Sequence, residues 1–191
     1  MKICNKNISR KSIFHIVLII ISLVLFVISM RIMRYYANNL LVYAGDEKIL
    51  DLRFGYSIED VKDYLNALGE NGRNYYLNKF HFIDTFYPVI YCAFYLITLG
   101  YFIKRVISKK WKYLILLLPV IGIICDYGEN IFINLFIKNI NNISDATVLM
   151  ANVFTKIKFI SAYGSLLLII ILLTIFIIKK IRGCPDCGYC G

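Results

Sequence analysis

The sequence lacks most of the patterns by which soluble enzymes are recognised. It has no internal repeat, no low-complexity tract, no glycine-rich phosphate loop and no Ser/His/Asp arrangement. Of its two histidines, His15 lies in an apolar stretch near the N-terminus, where packing or a membrane interface explains it better than catalysis. These absences leave no motif from which a substrate or a reaction can be named.

The most prominent feature that is present is a high content of apolar residues. Hydrophobic residues make up 59% of the chain and the mean hydropathy is +0.66, whereas a soluble domain carries about 45–50% apolar residues. Each of four apolar runs is close to or above the ~20 residues that span ~30 Å of hydrocarbon as a helix. The runs are 13–30, 83–103, 113–137 and 148–178. The sequence therefore predicts an all-α protein, with residues 1–182 forming a single bundle of four transmembrane helices.

The first apolar run follows a basic start, a pattern shared by cleaved signal peptides and retained membrane anchors. No small-residue cleavage site follows the run, which continues into "ISMRIMRYY". We therefore interpret it as a signal anchor that stays in the protein.

The net charge of +10 is unevenly distributed along the chain. The N-terminus, the loop at 104–112 and the tail after residue 178 are rich in lysine and arginine and contain a single acid, Asp186, whereas segment 31–82 mixes both signs. By the positive-inside rule, we expect a multi-pass protein of the plasma membrane with both termini cytoplasmic and segment 31–82 outside. The basic charge then serves topology and contact with the lipid bilayer, and a nucleic-acid partner is not expected.

Segment 31–82 is the largest part predicted to lie outside the membrane. Within it, Ser57 and Asp60 form a pattern typical of a capping box, an apolar stripe follows, and Gly69 stands where a helix C-cap glycine belongs. We predict a short amphipathic helix at about 58–68 on the extracytoplasmic side. It would tether and cap the bundle, or form a lid over a site beneath it.

The third apolar run contains "IGIICDYGENIFIN" at 121–134, which places two acids in a stretch that otherwise suits lipid. At about 100° per residue, its small and polar side chains fall within an arc of about 140°. An aspartate at the centre of a transmembrane helix costs about 2.5–3.5 kcal/mol to insert, and such acids usually face the bundle interior. The face that carries Asp126, Glu129 and Asn130 is therefore predicted to point inward.

The neighbouring runs offer matching polar side chains. Asp84, Tyr87 and Tyr91 share one face of the second run, and buried tyrosine hydroxyls need a hydrogen-bond partner. In the fourth run, Lys158 shares its face with small residues that mark helix–helix contacts, whereas Lys156 lies on another face and can extend to the surface. We therefore predict that Lys158 is the inward cation, at a depth comparable to that of the acids of the third run.

Together these residues predict an intramembrane acidic site that opens toward the outside. Its candidate catalytic residues are Asp126, Glu129 and Lys158, and its candidate ligand-binding residues are Asp84, Tyr87, Tyr91, Asn130 and Arg73. Because three acids outnumber one lysine, at least one carboxyl group is expected to be protonated unless Arg73 reaches in from segment 31–82. Such a site suits proton handling, cation binding or general-acid catalysis, and a purely architectural ion-pair network stays open as the alternative.

The tail at 183–191 ends in "GCPDCGYCG", where Cys184, Cys187 and Cys190 are spaced as Cys-x-x-Cys-x-x-Cys. The "CPDCG" part resembles one knuckle of a zinc ribbon. Cys4, on the same predicted side of the membrane, or a partner subunit would complete the four ligands of a zinc site. A reduced tail without metal, or palmitoylation near the membrane, are the alternatives.

Four short motifs stand out along residues 55–160: "LGENGRNYYL" at 68–77, "DTFYP" at 84–88, "DYGEN" at 126–130 and "TKIK" at 155–158. In these motifs the chain resembles a group of small bacterial four-helix membrane proteins. The resemblance does not include the cysteine tail. It implies an architecture and carries no activity.

Three functions fit this pattern. The first is a membrane-embedded enzyme or binding protein for a small or lipid-like ligand, with Asp126 and Glu129 as acid/base groups or ligand anchors and Lys158 as their counter-ion. The second is a non-enzymatic accessory or assembly subunit whose polar network sets its packing. The third is a proton- or cation-coupled transporter or channel subunit, which at this length would require a homo-oligomer or a partner membrane subunit.

Overall fold

The computed structural model of the protein describes residues 10–45 and 47–182. This part of the chain is helical between short connections and contains no strand. The helices are α1 (Arg10–Ala44), α2 (Ile58–Tyr75), α3 (His81–Val106), α4 (Leu117–Lys138) and α5 (Asp145–Ile181). Four helical segments are long and apolar enough to cross a membrane, namely Arg10–Ala44, Ile58–Val106, Lys110–Lys138 and Asp145–Ile181.

Helix α1 extends well past the apolar run at 13–30. Residues 31–44 contain neither proline nor glycine, so nothing in the backbone interrupts the helix. It ends at Ala44, directly before Gly45, whose φ of 62° lies in the left-handed region that glycine tolerates best. Residues 31–44, assigned from the sequence to the outer segment, therefore continue the first helix.

The helical segment between residues 58 and 106 is built from α2, a π-helical turn and α3. Ser57 caps α2: its hydroxyl accepts a hydrogen bond from the Asp60 backbone N–H, and the Asp60 side chain accepts one from the Ser57 N–H. Gly69, at φ 60° and ψ −174°, breaks α2 internally. The π-helical turn Tyr76–Phe80 then leads into α3, and such turns are frequent at functional sites.

Helices α4 and α5 form the most extensive helix pair. Gly122 of α4 permits a close approach, since a Cβ atom at that position would lie 3.1 Å from the Cβ atom of Ser161 on α5. Helix α3 packs against α1, α4 and α5. Most of the apolar surface of α1 stays exposed, which suits contact with lipid.

Two apolar clusters frame the interior. The first joins α2 to α1, α4 and the start of α5, and its members include Leu40, Leu50, Phe80, Ile133 and Ala151. The second lies mainly between α3 and α5, and its members include Tyr91, Leu99, Ile103, Ile169 and Leu172. In the sequence, Asp84 lies between Phe80 of the first cluster and Tyr91 of the second. Lys158 likewise lies between Ala151 of the first cluster and Ile169 of the second. Apolar packing therefore encloses the buried polar side chains from both ends.

Candidate functional site

The ammonium group of Lys158 is the centre of a buried ionic cluster. Its Nζ lies 2.5 Å from Glu129 Oε2 and 3.6 Å from Asp126 Oδ1, and it also forms an ion pair with the Asp51 carboxylate. All four side chains belong to residues that are at most 7% exposed. We call Asp51, Asp126, Glu129 and Lys158 the acid–lysine cluster.

Two helices position three of the four members. Asp126 and Glu129 are three residues apart on α4 and so share one face, which packs against α5. On α5, Thr155 is three residues before Lys158, and its hydroxyl donates to Glu129 Oε1 at 2.5 Å. Each oxygen of Glu129 thus faces a different polar group of α5.

Two further acceptor–donor pairs from α3 and α4 border the cluster. The Tyr91 hydroxyl donates to Asp126 Oδ2 at 2.8 Å, and the Asn130 side-chain amide donates to Asp84 Oδ2 at 2.6 Å. Asp84 is 2% exposed, and its partner Asn130 directly follows Glu129 on α4. Asp84 therefore adds a fourth buried carboxyl group to the site.

Asp51 reaches the cluster from the connection between α1 and α2, and the sequence analysis does not anticipate it. It lies in a single 3₁₀ turn, Leu50–Leu52. Next to this turn Ile49 is 2% exposed, and within it Leu50 is fully buried. The signal that could have identified Asp51 is the pair Ile49–Leu50 directly before it in a charged segment, which indicates a buried turn, whereas Leu52 and Phe54 after it are exposed.

Tyr56 brings a hydroxyl group to the edge of the cluster from the same connection. Burial, reinforced by the negative charge of Glu129, raises the pKa of Tyr56 above its usual range. The hydroxyl therefore stays neutral at physiological pH, and it is the acids and Lys158 that carry the charge.

Of two further residues assigned to the site from the sequence, Arg73 lies apart from the acid–lysine cluster, whereas Tyr87 lies against Tyr91, which borders it. The Arg73 guanidinium donates to the backbone carbonyl of Leu65 at 2.8 Å and lines a surface cavity beside Lys62. The ring of Tyr87 stacks on Phe26 and meets the Tyr91 ring edge-on. Arg73 therefore does not supply the second cation that the sequence analysis allowed for.

The cysteines of the proposed metal site, Cys4, Cys184, Cys187 and Cys190, lie outside the described residues. Cys92 and Cys125 are buried free thiols, and the Cys92 thiol donates to the backbone carbonyl of Pro119 at 3.5 Å.

The acid–lysine cluster also has the composition of a site for a hard cation. One carboxylate oxygen from each of Asp51, Asp126 and Glu129 lies within 4.8 Å of the others, and oxygen ligands of this kind suit Ca²⁺ or Mg²⁺. However, Lys158 Nζ contacts all three carboxylates. The ammonium group thus already takes the position of a cation, and we assign no metal ion to the cluster.

The charges of the site do not balance. Asp51, Asp84, Asp126 and Glu129 bring four carboxyl groups to the interior, whereas Lys158 brings the ammonium group with which the buried acids pair. Uncompensated charge in a low-dielectric interior costs several kcal/mol per ion. The excess negative charge therefore requires protons on the carboxyl groups or a bound cation.

Comparison with known proteins adds no assignment: no family model matches the chain, and no curated protein or solved structure shows significant similarity to it. The fold and the site define a helical-bundle protein with four helical segments able to cross a membrane and a buried acidic cluster.

Proposed function

We propose that this chain is a multi-pass protein of the plasma membrane whose acidic site takes up protons or a small cation from the extracytoplasmic side. The observation that supports this proposal is the charge imbalance between the acids Asp51, Asp84, Asp126 and Glu129 and the cation Lys158. Ionisable residues inside a membrane protein commonly mark ion pathways and proton relays. A transport role would require a homo-oligomer or a partner membrane subunit.

The orientation follows from the basic residues. The start of α1, the connection from α3 to α4 and the end of α5 are all basic, which favours a cytoplasmic location for this end of the bundle. Lys158 lies nearer the start of α5 than its end, and Glu129 nearer the end of α4 than its start. In this topology both residues occupy the outer half of the bundle, and the cap formed by α2 is extracytoplasmic.

The chemistry that we propose assigns each group a role. Glu129 and Asp126 bind and release the proton, and Lys158 stabilises whichever carboxylate is left ionised. Thr155 and Tyr91 hold the two carboxyl groups in place through the hydrogen bonds to Glu129 Oε1 and Asp126 Oδ2. A cation that takes the place of the excess protons would have to bind beside Lys158, because the ammonium group already occupies the position between Asp51, Asp126 and Glu129.

A purely architectural role is the second candidate, and the close packing of the cluster favours it. Lys158 contacts three carboxylates at once, and the four members are at most 7% exposed. Under this alternative the network fixes the register of α4 against α5 and exchanges neither protons nor cations with the solvent.

Infrared spectroscopy of the purified protein in lipid separates these candidates. We expect a carbonyl stretching band of protonated carboxylic acid at neutral pH, weakened in Glu129→Gln or Asp126→Asn and shifted in D₂O. Glu59→Gln, which changes an exposed acid of α2, is the matched control and should leave the band unchanged. Varying the pH or adding monovalent or divalent cations should alter the band reversibly while the protein stays folded.

Two results would count against proton or cation uptake. A band that persists in D₂O and ignores both pH and cations indicates a permanently buried proton, which favours the architectural role. The complete absence of the band, without any spectral response to cations, would mean that the acids are compensated in some other way. Thermal stability measured on the same samples shows whether a substitution acts through unfolding.

A further inference from the structure

We propose that residues 47–57 form a movable strap that closes the acid–lysine cluster, and that Asn152 is the latch that holds the strap in place. This inference rests on the proposed function, because uptake from the outside requires an opening. Asp51 is the member of the cluster contributed by a connecting segment, whereas the other three members lie on α4 and α5. Displacing the strap would remove Asp51 and uncover the remaining members.

The strap is attached to α5 by polar contacts at two points, and the Phe54 ring also packs against Phe159 of α5. At the first, the Asn152 side chain pairs in both directions with the Tyr56 backbone: the Tyr56 N–H donates to Asn152 Oδ1 at 2.8 Å, and Asn152 Nδ2 donates to Tyr56 O at 2.5 Å. At the second, Lys158 pairs with the Asp51 carboxylate and donates to the Asp51 carbonyl at 3.3 Å. Polar side chains of α5 therefore contribute to closure together with the apolar packing of the strap.

The strap is held together from within and is also tied to α2, since Arg53 Nη1 lies 3.5 Å from Asp60 Oδ1. The Arg53 guanidinium lies 2.7 Å from Glu47 Oε2 and donates twice to the Lys48 carbonyl. Gly45, directly after the end of α1, has a φ of 62°, a conformation that glycine tolerates best.

Space for the movement lies beside the latch. A surface cavity of about 440 Å³ separates the first turns of α2 and α5, and its lining includes Ser57, Leu149 and Asn152. The apolar side chains of Ile49 and Leu50 oppose opening, since both are buried in the first apolar cluster. The strap is therefore closed in the structure, and uptake from the outside would require it to open transiently.

A buried reporter cysteine tests this inference in the full-length protein. Leu50→Cys reports opening of the strap, and Leu99→Cys, at a fully buried position of the second apolar cluster, reports opening of the whole bundle. Both are made in a chain that carries Cys4→Ser, Cys184→Ser, Cys187→Ser and Cys190→Ser, and the same chain without a reporter sets the baseline. The measured quantity is the rate of labelling of the folded protein by a charged maleimide.

We expect Leu50→Cys to react faster than Leu99→Cys. Asn152→Ala removes two hydrogen bonds and should accelerate labelling at residue 50 by about tenfold, with no change at residue 99. Asn142→Ala, which alters an exposed asparagine of the turn after α4, is the matched control and should leave both rates unchanged. If Leu50→Cys does not fold, Ile49→Cys, at a position that is 2% exposed, takes its place.

Equal acceleration of both reporters by Asn152→Ala would show that the whole bundle loosens, and it would overturn the strap. No acceleration at residue 50 would overturn Asn152 as the latch. The proposed function is tested separately by the infrared measurement. If the labelling rates support the strap but the infrared spectrum does not respond to pH or to cations, then the strap is retained and proton or cation uptake is rejected.

Discussion

Replacing Lys158 with methionine removes the cation that contacts Asp51, Asp126 and Glu129 and keeps most of the aliphatic side chain. Breaking a buried ion pair by removing one partner costs about 3–5 kcal/mol, because the other charge is left uncompensated. At about 2–4 °C per kcal/mol for a protein of this size, the melting temperature should fall by about 6–20 °C. Thermal unfolding of the purified protein in detergent measures this change.

The neighbouring lysine provides a matched control. Lys156 is exposed on another face of α5, so Lys156→Met should change the free energy of unfolding by less than about 0.5 kcal/mol. Asp51→Asn completes a double-mutant cycle with Lys158→Met. Because the Asp51–Lys158 pair can be broken once only, the two substitutions together should cost less than their sum, with a coupling free energy of about 0.5–3 kcal/mol.

Equal effects of Lys158→Met and Lys156→Met would refute the reasoning, since the buried network would then contribute nothing measurable. Additive effects of Asp51→Asn and Lys158→Met would refute a narrower point, namely that Asp51 is held in the interior by Lys158.

Two further substitutions are tested by the same unfolding measurement. Tyr91→Phe removes the 2.8 Å hydrogen bond to Asp126 and should lower the free energy of unfolding by about 1.5–3 kcal/mol if the acceptor is charged. Tyr87→Phe is the control. An equal loss of stability in Tyr87→Phe would contradict the assignment of this hydrogen bond to Tyr91. Ser57→Ala removes the capping box with Asp60 and should lower the free energy of unfolding by about 0.5–2 kcal/mol. Ser57→Thr keeps a hydroxyl group and should retain most of the stability. Equal stability of the two variants would show that the capping box contributes nothing measurable.

Helical periodicity and the cost of inserting charge explain why much of the candidate site could be predicted. Asp126 and Glu129 share a face that suits the bundle interior, and in the structure both are buried. The same geometry separates the two lysines of α5: Lys158 is 7% exposed, whereas Lys156 is exposed. These inferences need only the period of a helix and the avoidance of lipid by charged groups.

The residues of the connecting segments could not be placed in this way, because tertiary contacts set the path of a connection. Asp51 enters the interior since Ile49 and Leu50 anchor its turn in the first apolar cluster. Arg73 does not enter, although its charge would suit the acids. It lies just beyond the break at Gly69, and its guanidinium donates back to the carbonyl of Leu65.

The central claim is that the buried acids, in excess over Lys158, hold exchangeable protons or a cation. The most direct test is the infrared difference between the wild-type protein in lipid and a variant combining Asp126→Asn with Glu129→Gln. We predict a protonated-carboxyl band that is present in the wild type, clearly weaker in the double variant, which keeps Asp51 and Asp84, and reversibly altered by pH or by cations. Identical spectra of the two proteins in this region, with no response to pH or to cations, would contradict the claim.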